Sequence, residues 1–537
     1  MIRVHDIALR ITEPTDKIFF KICEKLKIDK NDLLGYEIYR ESIDARKRKP
    51  LRLIYTVDVT VKNEQKILKQ FPALKRTPPP LKEILPVSKE QKTRPLVVGF
   101  GPAGMFCALY LAQAGLKPIV LERGKSVDER QIDVERFWSQ GILNEESNVQ
   151  FGEGGAGTFS DGKLTSRSKD QRIERVMQTF VKAGAPREIL WTKKPHLGTD
   201  RLREIVKKIR LEIESLGGSV RFQQRVTDLV VEGNQVVGVE VNGEEIISTD
   251  QVCMAIGHSA RDTFSWLHAK GIQMEAKAIA VGVRIEHGQA MIDQNQYGEH
   301  AGHPRLGAAS YALRFTDSTG RGVYSFCMCP GGQVVAAASE LGGLVVNGMS
   351  EYARDKENAN SALLVQVNPA DYATVVSETN NSGLVSPLAG IAFQRDLEQK
   401  AFRLGGENYA APVERVGSFL GLADLPKGKI VPSYRPMIAW TQLDQILPDF
   451  VVSALKEAIP YFGRKIKGFD RPDAVLTAVE SRSSSPVRLV RDPVSLESFS
   501  HSGLYPIGEG AGYAGGITSS AIDGIRCAEK IVENIQA

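Results

Sequence analysis

Cysteine is scarce in this chain of 537 residues. The six present, Cys23, Cys107, Cys253, Cys327, Cys329 and Cys527, form neither a disulfide framework nor a C-x-x-C metal set, so no metal site is expected. No apolar run approaches the roughly 18 to 20 residues that cross a bilayer, so no membrane span is expected. The start, Met1-Ile-Arg-Val-His-Asp6, is charged and lacks a signal-peptide core, which predicts a cytoplasmic protein. No H-E-x-x-H, P-loop or G-x-S-x-G element is present, and no repeat of fixed period.

A chain of this length exceeds what one core serves, so two or three domains are expected. With 42% hydrophobic and 25% charged residues, its composition is that of an ordinary globular protein. The net charge of +5 is unevenly spread: residues 1–94 carry 22 Lys and Arg against 13 Asp and Glu, the remainder 47 against 51. The basic excess includes the run Arg46-Lys47-Arg48-Lys49, which sits where two strands should turn. Such a run is the usual solvated hairpin tip, and it is also the form a nucleic-acid patch takes.

What the chain does have is Val97-Val-Gly99-Phe-Gly101-Pro102-Ala103-Gly104, followed by an apolar helix pattern, a second apolar run and Glu122-Arg123. Strand, G-x-G-x-x-G turn, helix, strand and terminal acid stand in the order of a dinucleotide-binding βαβ unit. Gly99 permits the tight turn, Gly101 lets the backbone approach a pyrophosphate, and Gly104 lets the helix pack on the sheet. Glu122, at the end of the second strand, is placed to accept a ribose hydroxyl.

Around this unit the periodicity predicts a small basic α+β domain over 1–71 and a proline-rich linker over 72–94. In the first, strands run over 2–11, 36–46 and 51–61 and helices over 16–28 and 63–71. Beyond the βαβ unit, helices are expected over 126–140 and 171–183. Thr199-Asp200 should cap a further helix that Gly217-Gly218 stops, and short strands should follow over 220–223, 226–232, 235–241 and 244–248. From about 276 the pattern is mixed. Residues 324–339 suggest paired strands around Gly331-Gly332, while 410–420 and 444–459 have helical periodicity. The C-x-C of Cys327 and Cys329 places both on one face of a strand, where reactive thiols and packed small side chains look alike.

Two other stretches match the glycine spacing. Gly152, Gly154 and Gly157 lack a following apolar helix, and Gly510, Gly512 and Gly515 precede a helix that ends the chain without a second strand or acid. Neither is a separate nucleotide unit. The loop from Gly154 to Lys163, with Gly155, Gly157 and Thr158, offers free backbone N–H groups and close access to a ligand.

The late segment Gly508-Glu509-Gly-Ala511-Gly-Tyr-Ala-Gly515-Gly516-Ile517 resembles the second half of the FAD site in flavoproteins of the glutathione-reductase and p-hydroxybenzoate-hydroxylase group. There a carboxylate after a late strand binds the ribityl chain, and the following helix points at the pyrophosphate or flavin. Over its whole length the chain resembles a bacterial family of FAD-dependent, or NAD(FAD)-utilising, dehydrogenases related by fold to geranylgeranyl reductase-like flavoproteins. The strings that carry the resemblance are Ser42-Ile-Asp-Ala-Arg46, the loop at 152–164, Gly257-His258-Ser259-Ala260-Arg261-Asp262 and Phe326-Cys-Met-Cys-Pro-Gly-Gly332. Asn347-Gly-Met-Ser350, Ser483-Ser-Ser-Pro-Val-Arg488 and the C-terminal segment extend it.

The resemblance implies an α/β fold: a Rossmann-like FAD-binding domain over 95–275 and 472–537, an inserted α+β substrate or cap domain over 276–471, and the small N-terminal α+β domain. It also implies that Arg123 and Arg130 lie near adenosine and pyrophosphate, that Val226 offers backbone contacts to adenine, and that Ala255 and Gly257 line the cofactor. The expected activity is an FAD-dependent oxidoreductase, a dehydrogenase or reductase exchanging a hydride with an unidentified small-molecule substrate. NAD(P)H would be a transient donor, since no second intact βαβ unit exists. Flavin performs the electron transfer itself, so the protein need only position substrate and handle protons. His258, Arg261, Tyr434, Arg482 and Arg488 are the polar candidates for that role; structural ion pairs would use the same residue types. Two other readings remain open: an RNA-directed flavoprotein using the basic N-terminal domain, and a protein whose FAD is structural or sensory.

Overall fold

Short apolar runs without alternation, such as Leu96–Val98 and Val252–Met254, suit strands buried on both faces. The computed structural model describes every residue except 47–49, 80, 82, 90, 167, 376–384, 424–427 and 537. It places these runs in a five-stranded parallel sheet ordered Leu504–Pro506, Val252–Met254, Leu96–Val98, Ile119–Leu121, Ser219–Arg221. Alternate side chains serve opposite cores. Val97, Val120, Cys253 and Tyr505 face helices Pro102–Gln113, Gly198–Ser215 and Ile517–Gln536. Leu96, Leu121, Met254 and Leu504 face a three-stranded meander (Val226–Glu232, Gln235–Val241, Glu245–Ser248) and helix Arg261–Ala269. The strand order reverses at Leu96–Val98, the switch point outside whose carboxyl end open α/β sheets bind ligands.

The chain leaves this sheet at Met274–Ala276 and returns at Val487–Leu489, and the two crossing segments pair with each other. Between them lies a seven-stranded sheet ordered Arg314–Thr316, Gly322–Cys329, Asn358–Val367, Ile279–Gly288, Val475–Glu480, Ala410–Arg415, Met437–Trp440. All its neighbours are antiparallel except the last pair. Helices Ala389–Leu404 and Asp449–Lys465 share its core through Phe393, Leu397, Leu455 and Phe462.

Several expectations are corrected. Val475–Glu480 lies beyond the boundary expected at 471 yet is an inner strand of the inserted sheet. Residues expected to be helical from 410 form strand Ala410–Arg415 and only a short helix, Val416–Phe419, because the fully buried Ala411 and Val413 fit a strand between two neighbours. Gly322–Cys329 and Gln333–Ala336 do not pair with each other: the first joins Asn358–Val367, the second Val346–Met349. Helix Gly198–Ser215 starts before Thr199 and Asp200, which bond outward rather than cap. The Thr199 hydroxyl donates to the Thr158 carbonyl at 2.8 Å, and Asp200 accepts from the Tyr352 amide at 2.8 Å.

The N-terminal unit is a four-stranded antiparallel sheet, Leu33–Asp44, Arg52–Val61, Ile2–Arg10 and Lys75–Arg76, with helix Lys17–Leu26 packed on Ile2–Arg10. Lys75–Arg76 belongs to the stretch expected to be a linker. Lys47, Arg48 and Lys49 of the basic turn lie outside the described residues. Several other cations of this unit are paired, including Arg3 with Asp58 and Arg76 with Glu64. Arg305 of the inserted part clamps the unit by donating to the carbonyls of Ile11 and Glu13 at 3.0 and 2.6 Å. Among the described residues no helix is long and apolar enough to cross a membrane.

Helices Pro102–Gln113 and Ile517–Gln536 touch backbone to backbone: a Cβ on Gly524 would overlap the Ala103 carbonyl oxygen. Gly524→Val should therefore cost about 1–3 kcal/mol by overpacking, read as a lower urea midpoint with an unchanged slope.

Candidate functional site

The loop after Leu96–Val98 turns at Gly99, whose φ of 94° and 2.6 Å approach of a would-be Cβ to the Ala255 carbonyl admit only glycine. It leads into Pro102–Gln113, where the Met105 amide is bonded to the Gly101 carbonyl, leaving the Ala103 and Gly104 amides without helical partners. Helix Ile517–Gln536 begins beside it. A Cβ on Gly157 would lie 3.2 Å from Ile517 and 3.7 Å from Pro102, so one loop glycine sits across both helix starts. A Cβ on Gly155 would come closer still, 2.9 Å from the Gly101 Cα. Neither helix has an acidic residue in its first turn. Two positive dipole ends therefore converge on one glycine-lined space.

That space is a cavity of about 360 Å³. Of the predicted residues it is lined by Gly99, Gly101, Pro102, Ala103, Glu122 and Arg123, by Gly155, Gly157 and Lys163, and by Val226, Ala255 and Gly257. Glu509, Gly515, Gly516 and Ile517 complete this set. Residues from the early βαβ unit and from the chain's end thus share one cavity.

Glu122 is 4% exposed and already accepts three backbone amides, from Phe100 at 2.8 Å and from Gly124 and Gly152 at 2.9 Å. A carboxylate has about four lone-pair directions, so about one remains for a ligand hydroxyl. Arg123 lies 4.2 Å over the Phe151 ring and is held by Glu146 at 2.8 Å and Asp262 at 2.9 Å. Glu509 lines the same cavity. Burial pushes its carboxyl up to about 7, helped by Cys327 and opposed by Lys277.

Other predicted residues shape the walls without lining the space. Gly104 lies under the Gly99 carbonyl. Gly154 donates to the Phe100 carbonyl at 2.9 Å, and the Thr158 hydroxyl donates to the Glu153 carbonyl at 3.3 Å. Arg130 is fully buried with its guanidinium bonded to the carbonyls of Asn148, Val149, Gly152 and Glu153; it anchors the loop rather than facing a pyrophosphate. Gly508 donates its amide to Asp523 at 2.8 Å, and Ala511 accepts from the Leu489 amide at 3.2 Å.

The polar candidates divide in the same way. Arg261 and Arg482 both grip the buried Glu398 carboxylate, at 2.7 Å each, and hold it well below the usual carboxylate range. Arg261 also binds Glu340 and stays out of the cavity, whereas Arg482 reaches its wall and donates to Ser259 at 3.1 Å. His258 lines the cavity; burial and the two arginines lower its pKa to about 3, so it is neutral at ordinary pH. Tyr434 lies in a different cavity, its hydroxyl donating to the Tyr409 carbonyl at 3.0 Å. Arg488 lies over Tyr513 rather than in the site.

Sequence reasoning missed Gln224, Arg225, Asn347, Glu480 and Ser483, which also line the cavity. It missed Asp523 as well, which pairs with Arg491 at 2.6 Å while fixing the Gly508 turn. One signal was available for Asp523: it shares a helix face with Ser520, Gly524 and Cys527, an acid on a buried stripe.

Residues 278–483, the span of the inserted sheet, match the family model described as FAD-dependent protein, C-terminal domain-like, and residues 1–60 match a domain of unknown function. A protein of Clostridium beijerinckii (strain ATCC 51743 / NCIMB 8052), described as uncharacterized, is 49% identical over 537 residues, covering 99% of this chain and 98% of its own. Solved structures with similarity include glycine oxidase from Bacillus cereus ATCC 14579, 10% identical, covering 83% of this chain and 98% of that one at a TM-score of 0.32. A flavin-dependent brominase is 12% identical, covering 82% and 79% at 0.37. A geranylgeranyl bacteriochlorophyll reductase-like protein from Thermoplasma acidophilum is 13% identical, covering 82% and 78% at 0.34.

Asp523→Ala leaves the 6%-exposed Arg491 without its carboxylate and the Gly508 amide without its acceptor. A loss of about 3–5 kcal/mol in unfolding free energy is expected, measured by urea denaturation, with Asp523→Asn recovering part of it.

Proposed function

The chain belongs to the family of the Clostridium beijerinckii protein with which it shares 49% of its residues, and it carries an FAD-dependent C-terminal-like domain; from that premise we propose that it is an FAD-dependent oxidoreductase acting on a small-molecule substrate. The observation that carries the proposal is the convergence of two helix N-termini, without acidic first-turn residues, on a cavity shared by Glu122 and Glu509. A dinucleotide with a polyol link needs an anion site between two hydroxyl-binding carboxylates. These residues fit it.

When bound, FAD supplies two-electron transfer. The chain's own residues do the rest. The Ala103 amide and the start of Ile517–Gln536 receive the diphosphate. Glu122 keeps one lone pair for a ribose hydroxyl, and Val226, also on the cavity wall, is available to the adenine. Glu509 takes a ribityl hydroxyl at the other end. Gly155 and Gly157 close over the anion, and Lys163 adds a cation. Neutral His258 and the Arg482 guanidinium hold polar groups of the substrate in the part of the cavity nearest the inserted sheet. NADH or NADPH acts as a transient donor.

Purified protein should be yellow, with a flavin spectrum that one pyridine nucleotide bleaches under anaerobic conditions. Colourless protein that takes up no added FAD would refute the proposal. Glu122→Ala strands the amides of Phe100, Gly124 and Gly152, so it should lower the urea midpoint of the flavin-free chain and weaken FAD binding at least tenfold, measured by fluorescence quenching on the folded protein.

Because the folded-state pKa of Glu509 is raised to about 7, folding opposes its ionisation, and stability should fall as pH rises from its ordinary range through about 7. Urea midpoints of the flavin-free chain at about pH 5 and about pH 8 should show that drop. Glu509→Gln should remove this component while leaving the pH dependence of other groups.

A further inference from the structure

The inserted sheet sends one reactive-looking element into the flavin cavity. Strand Gly322–Cys329 pairs regularly with Asn358–Val367 through Phe326, breaks register, and resumes at Cys329 opposite Asn360. Cys327, in the break, has φ of 41°, a left-handed conformation seldom adopted by residues with a Cβ. A regular strand would place both cysteines on one face. The bulge instead makes Cys327 part of the cavity wall, with Cys329 buried behind it.

Polar and charged groups surround this pair. The Cys329 thiol donates to the Cys327 carbonyl at 3.2 Å. Fully buried Arg284 donates to the same carbonyl at 2.8 Å and reaches the Cys329 sulfur at 3.8 Å. Lys163 bonds to the Met328 carbonyl between them. Of the acidic groups nearby, Glu480 is paired with Arg284 at 3.0 Å, Asp161 is gripped by Arg354, and Glu509, on the same cavity's wall, interacts electrostatically with Cys327.

We infer that Cys327 and Cys329 form a redox-active pair that exchanges two electrons with the bound flavin, cycling between an intrachain disulfide and a thiol–thiolate pair. The inference rests on the cofactor assignment proposed above. In the reducing direction the reduced flavin anion gives up two electrons and one proton. The bond between the two sulfurs breaks, Cys329 takes the proton, and Cys327 is left as thiolate. The flavin is returned oxidised, ready to be reduced again by the nicotinamide donor. The Cys329 thiol, Lys163 and Arg284 all lower the Cys327 pKa, against burial and Asp161, while that of Cys329 is pushed up. Attack by a stabilised thiolate backed by a neighbouring thiol is the arrangement that thiol–disulfide chemistry uses.

Cys107, Cys253 and Cys527 are buried together in the core, where hydrogen bonds among the three thiols and burial push each thiol up, so they serve as internal controls for the labelling. A brief pulse of iodoacetamide at about pH 6.5 on the reduced full chain, mapped by peptide mass spectrometry, should label Cys327 first. Cys329→Ala should slow that labelling at least tenfold. Diamide should join Cys327 to Cys329, with loss of two hydrogens from a single peptide. Equal labelling of the six cysteines, or no such cross-link, overturns the pair.

The diamide-oxidised, flavin-loaded chain, photoreduced under anaerobic conditions by one flavin equivalent, should then recover its oxidised absorption spectrum as the disulfide opens. Cys327→Ser and Cys329→Ala should stay bleached. A flavin that stays reduced beside the intact disulfide overturns the exchange. A chain that takes up no flavin while keeping the labelling and cross-linking pattern refutes the cofactor assignment, and with it the exchange, but leaves the thiol chemistry standing. The two failures are therefore distinguishable.

Discussion

The bare contact between Gly524 and the Ala103 backbone sets the geometry on which the site depends. No side chain separates helices Pro102–Gln113 and Ile517–Gln536 there, so their first turns begin side by side at the mouth of the parallel sheet. Two like dipole ends brought together in a partly buried space repel, and no acidic side chain in either first turn offsets them. Packing of the shared core, with Phe106, Ile525 and Ile531 in it, holds them against that repulsion. The space left between them is therefore electrostatically incomplete without an anion.

The loop that closes this space is built by buried charge. Arg130 collects four backbone carbonyls, Glu122 three backbone amides, and Glu153 joins the Val127 amide to Arg210 at 2.8 Å each. None of these groups is free to move without stranding polar partners, and a buried unpaired group is expensive. Charged residues in a glycine-rich segment thus give it a fixed shape that glycines alone would not. The same principle joins the two sheets: Arg261, from the parallel-sheet part, and Arg482, from the inserted part, grip one carboxylate, Glu398. The inserted sheet can then present Cys327, Asn347 and Glu480 to the cavity at a fixed distance from the glycine turn.

The βαβ unit is legible in the residues alone, because a parallel strand buried on both faces, a tight glycine turn and an apolar helix each leave a local mark, and at Gly99–Glu122 all of them agree. The chain-terminal strand and helix are legible for the same reason, and the small N-terminal unit through its alternation. Local pattern failed where neighbours decide conformation. Ala410–Arg415 has helical periodicity yet lies between two strands, and Cys327 departs from the strand face because the register breaks there.

Which polar residues face the cavity depends on long-range packing. Arg130, Arg261 and Arg482 are the same residue type in similarly motif-like strings. Two are enclosed by their partners, and one reaches the wall. A guanidinium's role is set by which carbonyls and carboxylates the fold brings to it from far along the chain, and those separations, such as that of Arg482 from Ser259, leave no trace in local sequence.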